Sequence, residues 1–419
     1  MAVETFKILL FILCTLCCVV CELGLPEGAS CFTQGFNGTC VALDKCVSAH
    51  RINMFLTAGF PKRDLPELPD ICSYKDNKIP VVCCTDCYIL KGNETLSDQA
   101  VLPNGLLTTT DGTVAWKKCL EYFHRLPYKC HGIGNVGVQK IWKKDRKCHE
   151  ISTSGALAVG GRNAERWEFP HTALIGYGED VETAEWLCGG SIISERFILT
   201  AAHCTAAGPL GNIKFAALGL LKRTDPKKYW KIHGIKRIIN HPDYKPPSKY
   251  HDIALLETDT EMNFGRNLLP ACLDTEKEDK NVAEASGWGR LGHRQALADT
   301  LQVVNLIQFN DSECAQIYNP HRLLAQGYDH KTQMCYGHHS KIIDTCEGDS
   351  GGPLQIHQFK CLYTIVGVTS YGKDCGILGS AGMYTRVSHY VPWIESIVWP
   401  DEYEELKKKD NEWLDKWLS

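Results

Sequence analysis

The sequence lacks any long block of one charge sign. Among its 419 residues, 45 Lys and Arg stand against 49 Asp and Glu, and the formal net charge is −4. Basic stripes of the kind that bind nucleic acid or another acidic polymer are missing. We therefore expect no nucleic acid among the partners of this protein.

Apolar runs long enough to cross a membrane are missing as well. The run from Ile8 to Val20 is shorter than the roughly 20 residues that span a bilayer, and no second run of that length follows. Lys7 precedes it and small residues follow before Glu22, which is the pattern of a signal peptide. A membrane anchor is the alternative interpretation. We expect residues 1–21 to be a signal peptide, the protein to be secreted and extracellular, and no transmembrane segment to be present.

A clear carboxylate-rich loop of the calcium-binding kind is also missing between His203 and Asp252, and calcium binding stays open. We predict no other metal site and no cofactor.

Cysteine, in contrast, is abundant. Cleavage near Cys21 removes four of the 22 cysteines and leaves eighteen, an even number, in an oxidising compartment. This predicts a full set of disulfides; reduced core cysteines or zinc sites are the alternative and suit a cytosolic protein. Sequons predict N-glycosylation at Asn37, Asn93 and Asn310.

The distribution of residue types divides the chain. Residues 30–85 hold six cysteines and too few apolar residues for a core, so crosslinks must stabilise this segment. Residues 86–157 are polar and are interpreted as a linker and activation segment, with a short helical pattern from Trp116 to Phe123. Residues 158–400 consist of short strand-like runs between turn residues and end in a helical pattern from Tyr390 to Val398, which predicts an all-β domain with a closing helix.

A tail, residues 401–419, follows the closing helix. Its apolar side chains lie roughly along one helical face. Two interpretations stay open: the tail docks onto its own domain, or it binds a membrane interface or a partner.

Three short motifs carry the chemistry. Hydrolysis of a peptide at neutral pH requires a nucleophile, a base, a group that orients the base and donors for the oxyanion. Thr-Ala-Ala-His-Cys contains the candidate base His203, Asp-Ile-Ala-Leu-Leu begins with the orienting carboxylate of Asp252, and Gly-Asp-Ser-Gly-Gly-Pro contains the nucleophile Ser350. Taken singly, they could be a core histidine, a capping aspartate and a turn serine.

Together and in this order, the motifs resemble the trypsin-like proteases of the chymotrypsin family. Trp-Leu-Cys-Gly-Gly-Ser from Trp186 and Ser-Gly-Trp-Gly from Ser286 add to the resemblance, which extends from Ala158 to about Trp399. The cysteines from Cys31 to the closing Val-Cys-Cys at Cys84 resemble the clip domain of arthropod serine proteases. The two resemblances imply a mainly β fold, with a small disulfide-rich clip domain before a trypsin-like double six-stranded β-barrel and a C-terminal helix.

The resemblance also implies roles for individual residues. Ser350 would attack the scissile carbonyl, His203 would accept its proton, and Asp252 would orient His203. The amides of Gly348 and Ser350 would hold the oxyanion. Asp344, six residues before the nucleophile, would lie at the bottom of a pocket for Arg or Lys; the alternative is an exposed loop acid. Ser370, Gly372 and Gly382 would complete the pocket.

Activation is implied by Gly-Ala-Leu-Ala-Val-Gly-Gly. A cut between Leu157 and Ala158 would free an ammonium group that pairs with Asp349. Because a pocket containing Asp344 should reject leucine, the expected activator is a separate chymotrypsin-like or elastase-like protease, as in the Snake type of clip-domain protease. Ala158 replaces a larger Ile or Val, which removes on the order of 2 kcal/mol of burial when the new terminus inserts.

The resemblance implies most disulfide pairs. Ala283 occupies the usual place of the mate of Cys361, so we favour Cys119–Cys361 and Cys87–Cys130 for the cysteines outside the standard set. The pairs implied by family position are Cys31–Cys83, Cys40–Cys72, Cys46–Cys84, Cys188–Cys204, Cys314–Cys335, Cys346–Cys375 and Cys148–Cys272.

The expected function is a serine endopeptidase zymogen in an extracellular proteolytic cascade of innate immunity and melanization or of Toll-type developmental signalling. Expected partners are a downstream zymogen or cytokine precursor, the activating protease and a serpin inhibitor. The alternatives are a non-catalytic clip-domain binding protein, which typically has Gly in place of the nucleophile, and a digestive or venom protease.

Overall fold

The computed structural model covers most of the chain after residue 160 and parts of the chain before it. Leu157, Ala158, Asp344 and Asn93 lie outside the described part, as does the predicted signal peptide. The structure describes residues 24–33, 36–46, 48–50, 53, 69–75, 79–86, 89, 113–124, 126, 128–136, 139–146, 161–265, 267–276, 280–292, 295–341, 345–357, 362–372 and 377–408.

The chain forms two compact units. The first comprises Met1–Thr108 and Pro127–Arg146, and the second comprises Thr109–Leu126 and Lys147–Ser419. The segment interpreted as a linker, residues 86–157, is therefore divided between the two units. Its described part contains a helix in the second unit and a β-hairpin in the first.

The first unit contains a four-stranded antiparallel sheet in the order β1-β2-β4-β3. Its buried apolar side chains are few, and three disulfides supply the crosslinks that the small core requires. These disulfides are Cys31–Cys83, Cys40–Cys72 and Cys46–Cys84, which confirms the pairs implied by the clip resemblance. The strands are β1 (Ser30–Thr33), β2 (Phe36–Ala42), β3 (Ile71–Lys75) and β4 (Ile79–Cys84), and a separate hairpin consists of β5 (Tyr128–Val136) and β6 (Gln139–Arg146).

The second unit contains two barrels, as predicted. Six strands close the first barrel in the order β10-β13-β12-β11-β8-β9. Its interior is apolar, and the side chains of Ile175, Ile198, Leu199 and Leu255 are fully buried. The strands are β8 (Thr172–Tyr177), β9 (Glu185–Ile192), β10 (Phe197–Thr200), β11 (Ile213–Leu218), β12 (Lys231–Asn240) and β13 (Ala254–Thr258).

The second barrel closes because β19 pairs with both β18 and β20. Leu306, Leu354, Tyr336 and Tyr384 fill its interior. The short strands β7 and β14 pair with β16 and β19. The strands are β7 (Arg162–Asn163), β14 (Cys272–Leu273), β15 (Val282–Gly287), β16 (Gln302–Gln308), β17 (Gln333–Gly337), β18 (Pro353–His357), β19 (Tyr363–Tyr371) and β20 (Ala381–Arg386).

The described residues of the second unit include the helices α1 (Val114–His124), α2 (Asp311–Ile317) and α3 (Val387–Val398). Helix α3 is the predicted closing helix and begins at Val387. Residues 401–408 of the tail are also helical, and Tyr403 and Leu406 pack against the apolar cluster that contains the first barrel's core. This part of the tail docks onto its own unit. Among the described residues, no helix combines the length and the apolar character required to cross a membrane.

One disulfide differs from the prediction and involves helix α1. Cys272 was expected to bond to Cys148, and Cys119 to Cys361, but the structure bonds Cys119 to Cys272. The reason is that α1 packs against β14. Two contacts next to this strand hold the helix there: Tyr122 meets Phe264 edge to face at 5.7 Å, and the backbone N–H of Ala115 donates to Glu395 of α3 at 2.7 Å. Both predictions that involve these cysteines are wrong. Cys87, Cys148, Cys361 and the side chain of Cys130 lie outside the described part.

Candidate functional site

The histidine of the site is held by a short turn. His203 lies in the 3-10 segment Ala202–Thr205 directly after β10, and the predicted disulfide Cys188–Cys204 ties this turn to β9. Its ring Nδ1 lies 2.7 Å from Asp252 Oδ2, and its backbone N–H donates to Asp252 Oδ1 at 2.8 Å. Two contacts to one carboxylate fix both the backbone and the imidazole ring of His203.

Asp252 is a buried carboxylate with several donors. The residue is 1% exposed, and Ser370 donates its hydroxyl to the same Oδ2 atom that contacts His203. Burial raises the pKa of Asp252, but the charge and hydrogen bonds of His203, with the Ser370 hydroxyl, outweigh burial and hold the pKa below its usual value. Asp252 is therefore an ionised group that can stabilise a protonated His203.

The loop of Ser350 lies against the turn of His203. The backbone carbonyl of Ser350 accepts a hydrogen bond from the Gly189 amide in β9 at 2.8 Å. A Cβ atom on Gly351 would overlap the hydroxyl of Thr200, which ends β10 just before the histidine turn. Glycine at this position therefore permits the close approach. The structure thus brings the three predicted residues His203, Asp252 and Ser350 to one site.

Two backbone amides of the Ser350 loop, those of Gly348 and Ser350, are available as donors. Gly348 has a φ of 96°, a left-handed conformation that favours glycine. Within the described part of the chain, the N–H groups of Gly348 and Ser350 have no acceptor. A pair of unsatisfied amides next to a nucleophile is the arrangement that stabilises an oxyanion.

The side chain of Asp349, which lies between Gly348 and Ser350 in this loop, occupies a narrow space. Its carboxylate accepts hydrogen bonds from the Gly289 amide at 2.8 Å and the Cys346 amide at 2.9 Å. A Cβ atom on Gly287 or Gly289 would overlap the carboxylate. Burial raises the pKa of Asp349 to about 6, against the two amide hydrogen bonds. No basic side chain among the described residues pairs with it, so the carboxylate can accept a cation.

The predicted pocket residues are brought together in part. A Cβ atom on Gly372 would lie 4.0 Å from the Cα of Gly382, and no other atom of the described residues would lie within that distance. Thr345 hydrogen-bonds through its hydroxyl to that of Tyr384 at 2.9 Å. Cys346 is disulfide-bonded, while its predicted partner Cys375 and the predicted specificity residue Asp344 lie outside the described part. The disulfide Cys314–Cys335 forms as predicted.

Two supporting contacts to Asp252 were missed from the sequence. Ser370 was predicted to bind substrate, but its hydroxyl contacts Asp252. Thr385 donates to the backbone carbonyl of Asp252 at 2.9 Å. No local pattern could have found these contacts, because both residues lie more than a hundred positions further along the chain on strands of the second barrel.

The family of this chain follows from its similarity to known proteins. The trypsin family matches residues 158–394, more than half of the chain. The chain belongs to the trypsin family of serine proteases. It is 32% identical to serine protease snk of Drosophila melanogaster over 389 residues, which cover 89% of this chain and 79% of that protein.

A relative that is named for its CLIP domain places this serine protease among the clip-domain proteases of arthropods. The chain is 36% identical to CLIP domain-containing serine protease C9 of Anopheles gambiae over 252 residues, which cover 57% of this chain and 67% of that protein. It is 30% identical to venom serine protease Bi-VSP of Bombus ignitus over 363 residues, which cover 84% and 88% of the two chains. The clip resemblance drawn from the cysteine pattern is thereby confirmed.

Proposed function

We propose that this protein is a secreted zymogen that, after cleavage between Leu157 and Ala158, hydrolyses protein substrates after Arg or Lys. The observation that carries the proposal is the pairing of buried Asp252 with His203 at 2.7 Å, beside a Ser350 loop with two unsatisfied amides. These are the groups that acyl transfer to a serine requires.

In this mechanism, Ser350 Oγ attacks the scissile carbonyl and His203 accepts the proton. The ionised carboxylate of Asp252 stabilises the imidazolium that forms, and the amides of Gly348 and Ser350 donate to the new oxyanion. His203 then gives its proton to the leaving amine. Water attacks the acyl-enzyme with His203 again as the base, which restores Ser350.

The preference for Arg or Lys rests on Asp344. Its position six residues before Ser350 corresponds to the pocket bottom in the family. The nearness of Gly372 to Gly382, with no side chain of the described residues between them, supports a pocket that a long cationic side chain can enter. A carboxylate enclosed in such a pocket prefers a cation.

Activation rests on Asp349. An ammonium group released at Ala158 by cleavage after Leu157 would find a buried carboxylate held by two amides and a raised pKa, both of which favour pairing with a cation. Because this carboxylate directly precedes Ser350, pairing would stabilise the loop that carries the nucleophile. Because the residue before the cut is Leu157, we propose a chymotrypsin-like or elastase-like protease as the activator.

The setting that we propose is an extracellular cascade with a downstream zymogen or cytokine precursor as substrate and a serpin as inhibitor. Disulfides throughout the described part support an oxidising compartment. The glycosylation candidates Asn37 and Asn310 are exposed, and Asn310 caps α2 through its side-chain oxygen, which leaves its amide nitrogen available for modification.

A venom or digestive protease is the second candidate, because one relative is a venom serine protease that covers most of this chain. The two roles differ in selectivity. A cascade protease cuts few bonds in folded zymogens, whereas a digestive protease degrades unfolded protein at many sites. The non-catalytic alternative is disfavoured because Ser350 is present and the Asp252–His203 pair is formed.

The proposal is tested by treating the purified chain with chymotrypsin and sequencing the new amino terminus. Peptide amides with Arg, Lys or Phe before the scissile bond are then assayed, with Ser350→Ala as the control. We expect a terminus of Ala-Val-Gly-Gly and Ser350-dependent cleavage after Arg and Lys. The correct cut without activity would favour the non-catalytic alternative, and preference for Phe would contradict the role of Asp344. Broad degradation of casein would favour the digestive or venom role.

A further inference from the structure

A histidine cluster lies immediately beside Asp252. His241 follows β12, and His251 directly precedes Asp252 in the chain. The two imidazole rings stack with their centroids 5.3 Å apart and their planes 15° apart. One ligand atom each from His241, Asp243 and His251 lie within 4.8 Å of one another. The cluster is separate from the reacting groups but shares a backbone segment with them.

We infer that His241, Asp243 and His251 form a binding site for a zinc-like transition metal, and that its occupancy lowers the peptidase activity. Two imidazoles and one carboxylate are a ligand set that Zn²⁺ accepts, with water in the fourth position. The effect on activity rests on the proposed function, whereas the metal site itself does not.

The separation of the ligand atoms is close to that of a zinc site. His241 Nδ1 lies 4.0 Å from Asp243 Oδ2, and tetrahedral bonds of about 2.0–2.2 Å to one zinc ion require the two atoms to approach to roughly 3.4 Å. Binding at Nδ1 would replace a hydrogen bond of 3.2 Å from the Asp243 amide. The carboxylate of Asp243 can adjust because its side chain is 66% exposed.

The surroundings of the two rings orient them. His251 Nδ1 lies 3.0 Å from the hydroxyl of Tyr390, which gives the ring an orienting partner. Tyr390 and Trp393 of α3 both meet the His241 ring edge to face at 5.0 Å. His241 is therefore held by α3, and because the two ring planes are nearly parallel, binding of one ion by both rings requires the His251 ring to shift.

The coupling to catalysis follows from the backbone of His251. This residue has a φ of 55°, an uncommon conformation for a side chain other than glycine, and its carbonyl accepts from the Ile253 amide at 2.8 Å. A metal that draws the His251 ring towards Asp243 would pull on the residue bonded to Asp252. Because Asp252 orients His203 through contacts of 2.7 and 2.8 Å, a small displacement would weaken the catalytic geometry.

Binding of Zn²⁺ alone is measured by equilibrium dialysis and calorimetry on the full chain. We expect one ion per chain with micromolar affinity, weakened at least about tenfold in Asp243→Asn and in His241→Gln. Glu179→Gln is the matched control, because Glu179 is an exposed carboxylate outside the cluster. His203→Ala should bind as the wild type does, which would exclude the catalytic histidine as the ligand. Asp243→Asn tests the site even if His241→Gln does not fold.

The activity of the cleaved protease on an Arg peptide is then measured with and without Zn²⁺. We expect inhibition of about fivefold or more in the wild type and none in Asp243→Asn. Zn²⁺ binding that persists unweakened in both variants would overturn the site. Binding that the variants lose, without inhibition of the wild type, would overturn the coupling to Asp252. If the cleaved chain shows no peptidase activity, the proposed function fails while dialysis still tests the site.

Discussion

At the scale of single residues, the site depends on carboxylates held in different environments. Asp252 is surrounded by donors and keeps its pKa below the usual value, whereas Asp349 has two amide donors and a pKa raised to about 6. The Asp252 carboxylate can stabilise a cationic His203. The Asp349 carboxylate can pair with a cation, and the proposed cleavage would supply one at Ala158.

Replacement of Asp252 by Asn should lower kcat on an Arg peptide by about 10⁴-fold, because an amide at this position favours the wrong His203 tautomer. Ser370→Ala is the comparison variant, since it removes one donor to Asp252 and leaves the carboxylate in place. We expect a loss of kcat of about 10- to 100-fold there, the value of one hydrogen bond to a charged group. Equal losses in the two variants would contradict the separate roles of Asp252 and Ser370.

The raised pKa of Asp349 predicts that the stability of the uncleaved chain depends on pH. Cleavage should weaken this dependence. In the uncleaved chain its pKa is raised to about 6, so the folded state binds this proton more tightly than the unfolded state. Stability from this group is full at low pH and is lost as the pH rises from about 4 to about 6.

The measurement is the melting temperature of the Ser350→Ala chain against pH, before and after cleavage at Leu157. Pairing with the Ala158 ammonium would lower the pKa of Asp349, so the cleaved form should lose less stability over the same window. Asp274, whose pKa burial also raises to about 6, is present in both forms and cancels in the comparison. Identical profiles would contradict the proposed ion pair.

At the scale of secondary-structure elements, helix α1 links the segment before the proposed cleavage site to the protease domain. The bond between Cys119 and Cys272 and the hydrogen bond from Ala115 to Glu395 both hold α1 against the second unit. A light chain produced by cleavage after Leu157 would therefore stay attached through α1.

The double variant Cys119→Ser, Cys272→Ser should release the light chain. On a non-reducing gel after cleavage, the wild type should run as one band and the variant as two. Loss of the crosslink should also destabilise the uncleaved chain by about 2–5 kcal/mol, measured by denaturant unfolding. A cleaved variant that still runs as one band would show that another disulfide joins the two chains.

Substitutions on the two faces of the described part of the tail should differ in their effect on stability. Tyr403 and Leu406 pack against the apolar cluster of the second unit, whereas Glu404 and Glu405 are exposed. Tyr403→Ser with Leu406→Ser should lower the free energy of unfolding by about 2 kcal/mol through lost burial. Glu404→Ser with Glu405→Ser is the matched control and should change stability little. Equal effects of the two pairs on the melting temperature would argue against docking.

At this scale the disulfides also separate the contacts that the sequence could predict from those it could not. Cysteines in one compact sheet, such as Cys31 and Cys83, could be paired because their spacing resembles a known domain. Cys119 and Cys272 could not be paired, since their bond depends on which face of α1 meets β14, and no local pattern records that contact. The His241–His251 stack likewise arises only when the end of β12 is brought beside the residue before Asp252.

At the scale of the whole molecule, the double barrel could be predicted because alternating short strands and three catalytic motifs agreed. The barrels bring together residues that are far apart in sequence: Asp252 precedes a strand of the first barrel, and Ser370 lies on β19 of the second. This long-range convergence explains why the motifs indicated the triad but not the residues that support it.

The central claim is that Ser350 is the nucleophile of a peptidase that cleavage after Leu157 activates. The most direct measurement is the rate of Arg-peptide hydrolysis by the wild type and by Ser350→Ala, each before and after cleavage at Leu157. We predict a large rise on cleavage in the wild type and a loss of about 10⁶-fold, or to the detection limit, in the cleaved variant. Equal rates for the two cleaved proteins, or a cleaved wild type without activity, would contradict the claim.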